Sequence, residues 1–263
     1  MKKFIAASLV IITLFQAFPV MVAASERETP PHYLEANHSR YEAYQAQNPR
    51  LPYSTVVAYV NANVDRGFYS WITTVGAPES ISALVNKNFT LPRGYEPDDL
   101  VYVSGSYRLR AEAAEFLQKM KSDMNELGYR IYVMSAYRTY QSQASKYENG
   151  VRAYGRASAD RQYARPGHSE HQTGLAVDIA QRTNIQYMSQ ARFENTAEFS
   201  WLKDNAHKYG FILRYPGEYT DVHGFIYEPW HWRYVGVDIA TAMFNEGIVM
   251  LEEYYGRYLC ITA

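Results

Sequence analysis

His171 stands seven residues before Asp178 in the run Ser169-Glu170-His171-Gln172-Thr173-Gly174-Leu175-Ala176-Val177-Asp178. The glycine between them permits a turn, so an imidazole nitrogen and a carboxylate oxygen can meet in space. Further along, Glu228-Pro229-Trp230-His231 adds a second acid and a second histidine. Two histidines and one carboxylate make a three-ligand zinc set whose fourth position stays open for water. Zinc so held lowers the pKa of water from about 15.7 toward about 7, and Glu228 can take the released proton as general base. Each residue taken alone has a plainer reading. His171 fits an ordinary polar role, and Asp178 fits a strand-end carboxylate making hydrogen bonds. Pro229 opposes the helix on which H-E-x-x-H zinc sites are built. In a flat strand, moreover, the Glu228 and His231 side chains would point to opposite faces. A zinc hydrolase therefore needs a bend between them.

The elements that must position these residues alternate between helix and short strand. A polar helix is expected around Ser39 to Gln47, and Thr55 to Val64 reads as strand or short helix. From Arg110 to Leu127 the residues Ala113, Leu117, Met120, Met124 and Leu127 recur at three- and four-residue steps, one apolar helical stripe, with Gly128 just past its end. Arg130 to Ser135 is a strand, and a second helix runs from Tyr140 to Asn149, ending at Gly150. Leu175 to Ile179 is a strand in which Leu175, Val177 and Ile179 face one side and Asp178 the other. A third helix spans Ala197 to Lys208, and the aromatic-rich segment Phe225 to Val235 is expected as the last strand. There is no βαβ rhythm, so the class is α+β.

Export is written at the start. Lys2 and Lys3 precede the apolar run Phe4 to Phe15, Pro19 breaks it, and Val22-Ala23-Ala24 offers a cleavage site, so residues 1–24 read as a signal peptide cut after Ala24. An uncleaved anchor is the competing reading, because Phe4 to Ala24 is almost long enough to span a bilayer. Residues 25–50 read as an N-terminal arm and 51–263 as the catalytic domain. Cleavage takes the formal charge from −1 to −3, since two lysines and no acids are lost; this gives no electrostatic footprint for nucleic acid. The single cysteine, Cys260, excludes an intramolecular disulfide framework and a four-cysteine zinc site.

Three separated blocks occur in one order: Ser135-Ala136-Tyr137-Arg138-Thr139-Tyr140 with Gln143; Pro166-Gly167-His168 leading into the Ser169–Asp178 run; and Glu228-Pro229-Trp230-His231-Trp232-Arg233-Tyr234-Val235-Gly236. Trp201-Leu202, Tyr209-Gly210-Phe211 and Arg214-Tyr215-Pro216 fall between the last two. Over roughly residues 84–236 the chain resembles the VanY-type D-alanyl-D-alanine carboxypeptidases, relatives of the D-Ala-D-Ala dipeptidases and L,D-carboxypeptidases. The resemblance implies a hedgehog/D-Ala-D-Ala-peptidase-like fold with a small, mainly antiparallel sheet and flanking helices. It implies that His171, Asp178 and His231 bind zinc and that Glu228 is the catalytic base. It places Arg138 in the cleft as a catalytic and substrate-binding residue, with Gln143 and Ser169 helping to hold the terminal carboxylate and Tyr215 as a cleft tyrosine. Arginine suits a free carboxylate because it gives two parallel charged hydrogen bonds; stabilising the oxyanion is its alternative role, and a structural ion pair the plain one. The implied substrates are peptidoglycan stem peptides, cut outside the cytoplasmic membrane. Two other activities compete: an L,D-carboxypeptidase acting on tetrapeptide stems, and an inactive wall-binding protein on the same fold. The intact ligand set and Glu228 argue against the second. His223 departs from the family's usual threonine and reads as a surface substitution, or else as an extra cleft group near the metal. His168 and His207 read as helix-end or surface residues.

Overall fold

A computed structural model describes residues 29–181 and 190–260; residues 1–24, expected to be a signal peptide, lie outside them. The chain opens on α1 (His38–Gln47) and α2 (Tyr53–Asn61), which meet through Tyr41, Val56, Val57 and Val60. That settles the ambiguous Thr55–Val64 segment as helix. The β-branched run lies against the α1 tyrosine, and tertiary packing overrides a weak strand propensity. Short strands β1 (Thr73–Thr74) and β2 (Phe89–Thr90) pair in parallel, and β3 (Leu100–Ser104) with β4 (Tyr107–Arg110) forms an antiparallel hairpin. The chain continues as α3 (Ala111–Glu126), β5 (Ile131–Ser135), α4 (Tyr140–Tyr154), α5 (Arg156–Gln162), β6 (Ala176–Gln181), α6 (Gln190–Phe193) and α7 (Ala197–Asn205). It closes with β7 (Phe211–Leu213), α8 (Thr220–His223), β8 (His231–Tyr234), α9 (Val237–Glu246) and α10 (Leu251–Tyr254).

Four strands form the central sheet in the order β5-β6-β8-β7, each pair antiparallel. One face is apolar. Val133, Val177, Ile179, Trp232 and Tyr234 join Leu117, Met120 and Met124 of α3 and Phe199 and Leu202 of α7 in the main core. Each such side chain contributes roughly 1.5–3 kcal/mol by leaving water. Successive residues of a strand face opposite ways, so Asp178, His231 and Arg233 are left on the other face. The expected alternation at Asp178 is what the sheet shows.

Three element boundaries differ from the sequence reading; the third helix ends at Asn205, not Lys208, and passes into a 3-10 turn over Ala206–Tyr209. The second helix does not stop at Gly150 but runs to Tyr154 and ends at Gly155, whose φ of 77° suits a residue without a side chain. Gly150 sits inside the helix instead, because the Tyr163 ring occupies the space where a Cβ would be. The segment Phe225 to Val235 is strand only over His231–Tyr234; the residues before it turn.

Two histidines read as peripheral are buried. The His168 Nδ1–H donates to the Asn86 carbonyl at 2.8 Å. His223 donates from Nε2 to the Pro216 carbonyl at 3.0 Å and accepts the Phe225 amide on Nδ1 at 3.1 Å. Both ring nitrogens of His223 are thereby used, and burial lowers its pKa to about 4, so it is neither a surface residue nor a spare ligand. His207 does lie at a helix end, stacked on Phe244.

Candidate metal centre

Strand pairing builds half of the centre. Asp178 of β6 lies directly opposite His231 of β8 in the antiparallel register, a position where side chains are in contact range. His231 Nδ1 is 3.1 Å from Asp178 Oδ1. His171 arrives from the turn before β6, which is tied by the Thr173 hydroxyl donating to the Glu170 carbonyl at 2.6 Å. That turn closes at Gly174, where φ is 68° and a Cβ would meet Leu100 and Arg110 at about 3 Å. The Arg138 amide bonds the His171 carbonyl at 3.0 Å, joining this turn to the end of β5.

The bend that the sequence required is a turn at Pro229-Trp230. The His231 amide donates to the Glu228 carbonyl at 3.1 Å, and the Glu228 amide to the Tyr215 carbonyl at 3.0 Å. Both side chains then face one cavity, with Glu228 Oε2 3.9 Å from His231 Nδ1.

One ligand atom each from His171, Asp178 and His231 lies within 4.8 Å of the other two. Hydrogen bonds fix which nitrogens face inward. His171 Nδ1–H donates to the Ala136 carbonyl at 2.7 Å, leaving Nε2 toward Asp178 Oδ2 at 3.3 Å. His231 Nε2 points to Glu170 Oε2 at 3.2 Å, leaving Nδ1 toward Asp178. Outer partners of this kind orient metal-bound imidazoles and fix their tautomers. The donor set of two imidazoles and one carboxylate, open on the cavity side, fits a catalytic zinc.

The charged groups at this spot shift one another strongly. Burial alone would disfavour charge on His231, but Asp178 and Glu170 outweigh it and raise its pKa to about 9. His171 goes the other way, lowered to about 4 chiefly by burial. Burial works against the Asp178 charge, yet the His171 and His231 rings hold its carboxyl far below the usual range. Glu228 is pushed up to about 7, mainly by burial.

The cavity is lined by Arg138, Gln143, Lys146, Ser169, Tyr215 and Glu228 as well as His171, Asp178 and His231. Arg138 makes no ion pair among the described residues. Its Nη1 donates to Gln143 Oε1 and its Nη2 to Ser135 Oγ, both at 2.8 Å, which leaves other N–H groups for a ligand. Gln143 also donates from Nε2 to the Ala164 carbonyl at 2.6 Å, so one amide hydrogen remains. The Tyr215 ring packs on the His231 ring, centroids 4.8 Å apart. All eight expected site residues therefore meet at one cavity.

Sequence reasoning missed two contributors. Lys146 lies three residues after Gln143 on α4, a spacing that shares a helix face, and that signal was available. Glu170 was quoted only as part of a motif. It is fully buried and accepts on Oε1 from Arg214 Nε at 2.8 Å and Arg233 Nη1 at 2.9 Å. Burial opposes its charge, but Arg214 and Arg233 hold its pKa well below the usual value.

Residues 106–237 match the family described as VanY, D-alanyl-D-alanine carboxypeptidase. The chain is 30% identical over 256 residues to the D-alanyl-D-alanine carboxypeptidase of Enterococcus faecalis, covering 94% of this chain and 86% of that one. Among solved structures it resembles the LdcB LD-carboxypeptidase, with 42% identity and a TM-score of 0.66 over 71% of this chain and 90% of that one. It also resembles a VanY D,D-pentapeptidase variant from a VanB-type vancomycin-resistance cassette, in complex with Zn(II). There the identity is 34% and the TM-score 0.58, over 67% of this chain and 98% of that one.

Proposed function

The chain belongs to the VanY D-alanyl-D-alanine carboxypeptidase family, and from that premise we propose that it is a zinc carboxypeptidase removing the terminal D-alanine from peptidoglycan stem peptides. One observation carries the proposal. His171, Asp178 and His231 converge at a cavity that also holds Glu228 and an Arg138 without an acidic partner among the described residues. In this reading those three residues hold zinc, which supplies an acidified water when bound.

Glu228 takes a proton from the attacking water and delivers it to the leaving amine. Burial raises the Glu228 carboxyl above its ordinary range, which favours its holding and returning a proton. Arg138 turns its free N–H groups to the substrate's terminal carboxylate, with the second amide hydrogen of Gln143 and the Ser169 hydroxyl beside it. Tyr215 holds the His231 ring in place from the cavity side.

Residues 1–24 act as the export leader in this proposal, residues 25–50 as an arm and 51–263 as the catalytic domain, working outside the cytoplasmic membrane. The basic start, apolar run and small residues before Ser25 support it. Among the described residues no helix is long and apolar enough to cross a membrane.

The likeness to LdcB favours a second reading, an L,D-carboxypeptidase that trims tetrapeptide stems. Mass spectrometry of stem peptides incubated with purified protein decides. Release of one D-alanine from pentapeptide, stopped by a chelator and restored by zinc, is the expected result. Release from tetrapeptide alone would select the second reading, and zinc-loaded protein that releases nothing would sink both.

A further inference from the structure

Past the end of the family match, α10 carries Glu252, whose side chain is completely buried. Its two oxygens accept from Arg214 Nη1 at 3.0 Å and Nη2 at 2.7 Å, the two-pronged geometry that suits guanidinium. Glu252 Oε1 also accepts from Asn86 Nδ2 at 3.0 Å. Arg214 meanwhile donates its Nε to Glu170, and Glu170 holds the Nε2 side of His231. A continuous chain of hydrogen bonds thus runs from the C-terminal segment to a metal ligand. Arg233 joins it, donating to Glu170 and to the Ile81 and Ala83 carbonyls at 2.9–3.0 Å.

The charges explain why Glu252 is needed. Arg214, Arg233 and Glu170 have side chains with no exposure at all. Two guanidinium groups against the one carboxylate of Glu170 would leave a net positive charge buried behind a site that must accept a dication. Glu252 brings the four groups to neutrality. Without it, Arg214 has only Glu170 to turn to, and Glu170 is drawn away from His231 toward the unbalanced cation.

We propose that Glu252 is a positioning residue for the metal centre, acting through Arg214 and Glu170 to keep His231 oriented and the buried charge balanced. This rests on His171, Asp178 and His231 being the metal ligands. The role belongs to a residue that touches neither metal nor substrate, in a segment outside residues 106–237.

The test is zinc affinity of the purified full chain, by competition with a chromophoric chelator, together with the imidazole ¹⁵N shifts of His231. Glu252→Leu should weaken zinc about 10–100-fold, the scale for loss of an outer-shell partner, and should shift the His231 nitrogens. The double variant Glu252→Leu with Arg214→Met removes one charge of each sign, leaves Glu170 balanced and held by Arg233 alone, and should recover affinity to within about threefold, because apolar replacement of a buried pair is well tolerated. Should Glu252→Leu not fold, the double variant, which buries no unpaired guanidinium, is expected to fold and carries the test. Leu251→Ala, which loosens the same segment by emptying part of its core, should lower the melting temperature with wild-type zinc affinity. A double variant that binds zinc no better than the single one, or a Leu251→Ala loss as large as that of Glu252→Leu, would show a merely structural role and overturn the proposal. Wild-type protein with no zinc affinity would overturn the ligand assignment and this inference together.

Discussion

Replacing the substrate's terminal carboxylate by a carboxamide should cost this enzyme most of its activity, and the size of the loss follows from Arg138. The guanidinium is held in place by Gln143 and Ser135 and has no acidic partner among the described residues. Asp178 and Glu228 act on it only through space, while burial lowers its pKa from the ordinary arginine value. A bound carboxylate therefore completes a cation that the fold leaves uncompensated; an amide does not. A hydrogen bond to a charged group contributes roughly 1.5–3 kcal/mol, so exchanging acid for amide should lower kcat/KM by about tenfold to a hundredfold. The assay is release of D-alanine from matched free-acid and amidated stem peptides, followed by mass spectrometry. Arg138→Lys should lose the same discrimination, because an ammonium lacks the planar fork and cannot reach Gln143 and Ser135 together. Zinc content should not change. Equal hydrolysis of acid and amide by wild-type protein would refute the reasoning.

Glu228→Gln should retain zinc and lose about 10²–10⁴-fold in kcat, whereas His171→Ala, Asp178→Ala and His231→Ala should each lose the metal, as read by elemental analysis. Gly150→Ala, normally stabilising by roughly 0.5–1 kcal/mol within a helix, should here lower the melting temperature and raise KM, since the new methyl displaces the Tyr163 ring from the cavity wall. Lys87 is buried and donates to the Asp160 and Gly224 carbonyls, both at 2.6 Å, and burial lowers its pKa from 10.5 to about 8. Between those values the unfolded chain binds more protons than the folded one, so stability should rise with pH from 8 toward 10 by up to about 3 kcal/mol. Chemical denaturation at pH 7.5 and 9.5 should show that rise in wild type and not in Lys87→Met.

The parts of the site that lie close together in sequence were legible there. The Ser169–Asp178 run contains the turn, its glycine and the strand alternation that together place His171 and Asp178. The stripe from Ala113 to Met124 gave α3 within a residue at each end. What depends on long-range packing was not legible. Nothing local says that Glu228 and His231 share a cavity, because that follows from a turn held by the Tyr215 carbonyl. His223 read as a surface substitution for the family's usual threonine, but its ring is buried against Tyr215. Glu252 had no motif around it, and only the fold shows that its partner is Arg214.

The direct opposition of Asp178 and His231 across β6 and β8 also bears on how the chain reaches its native state. Sliding one strand past the other by a single residue would turn every side chain of the moving strand to the opposite face. Trp232 would exchange places with His231, and the three donors would no longer converge. A near-native sheet with slipped pairing would thus be unable to capture the ion, even with all its helices in place. Zinc uptake during refolding should accordingly trail secondary structure and coincide with correct strand alignment, so the cofactor acts as a proofreader of the sheet that holds it.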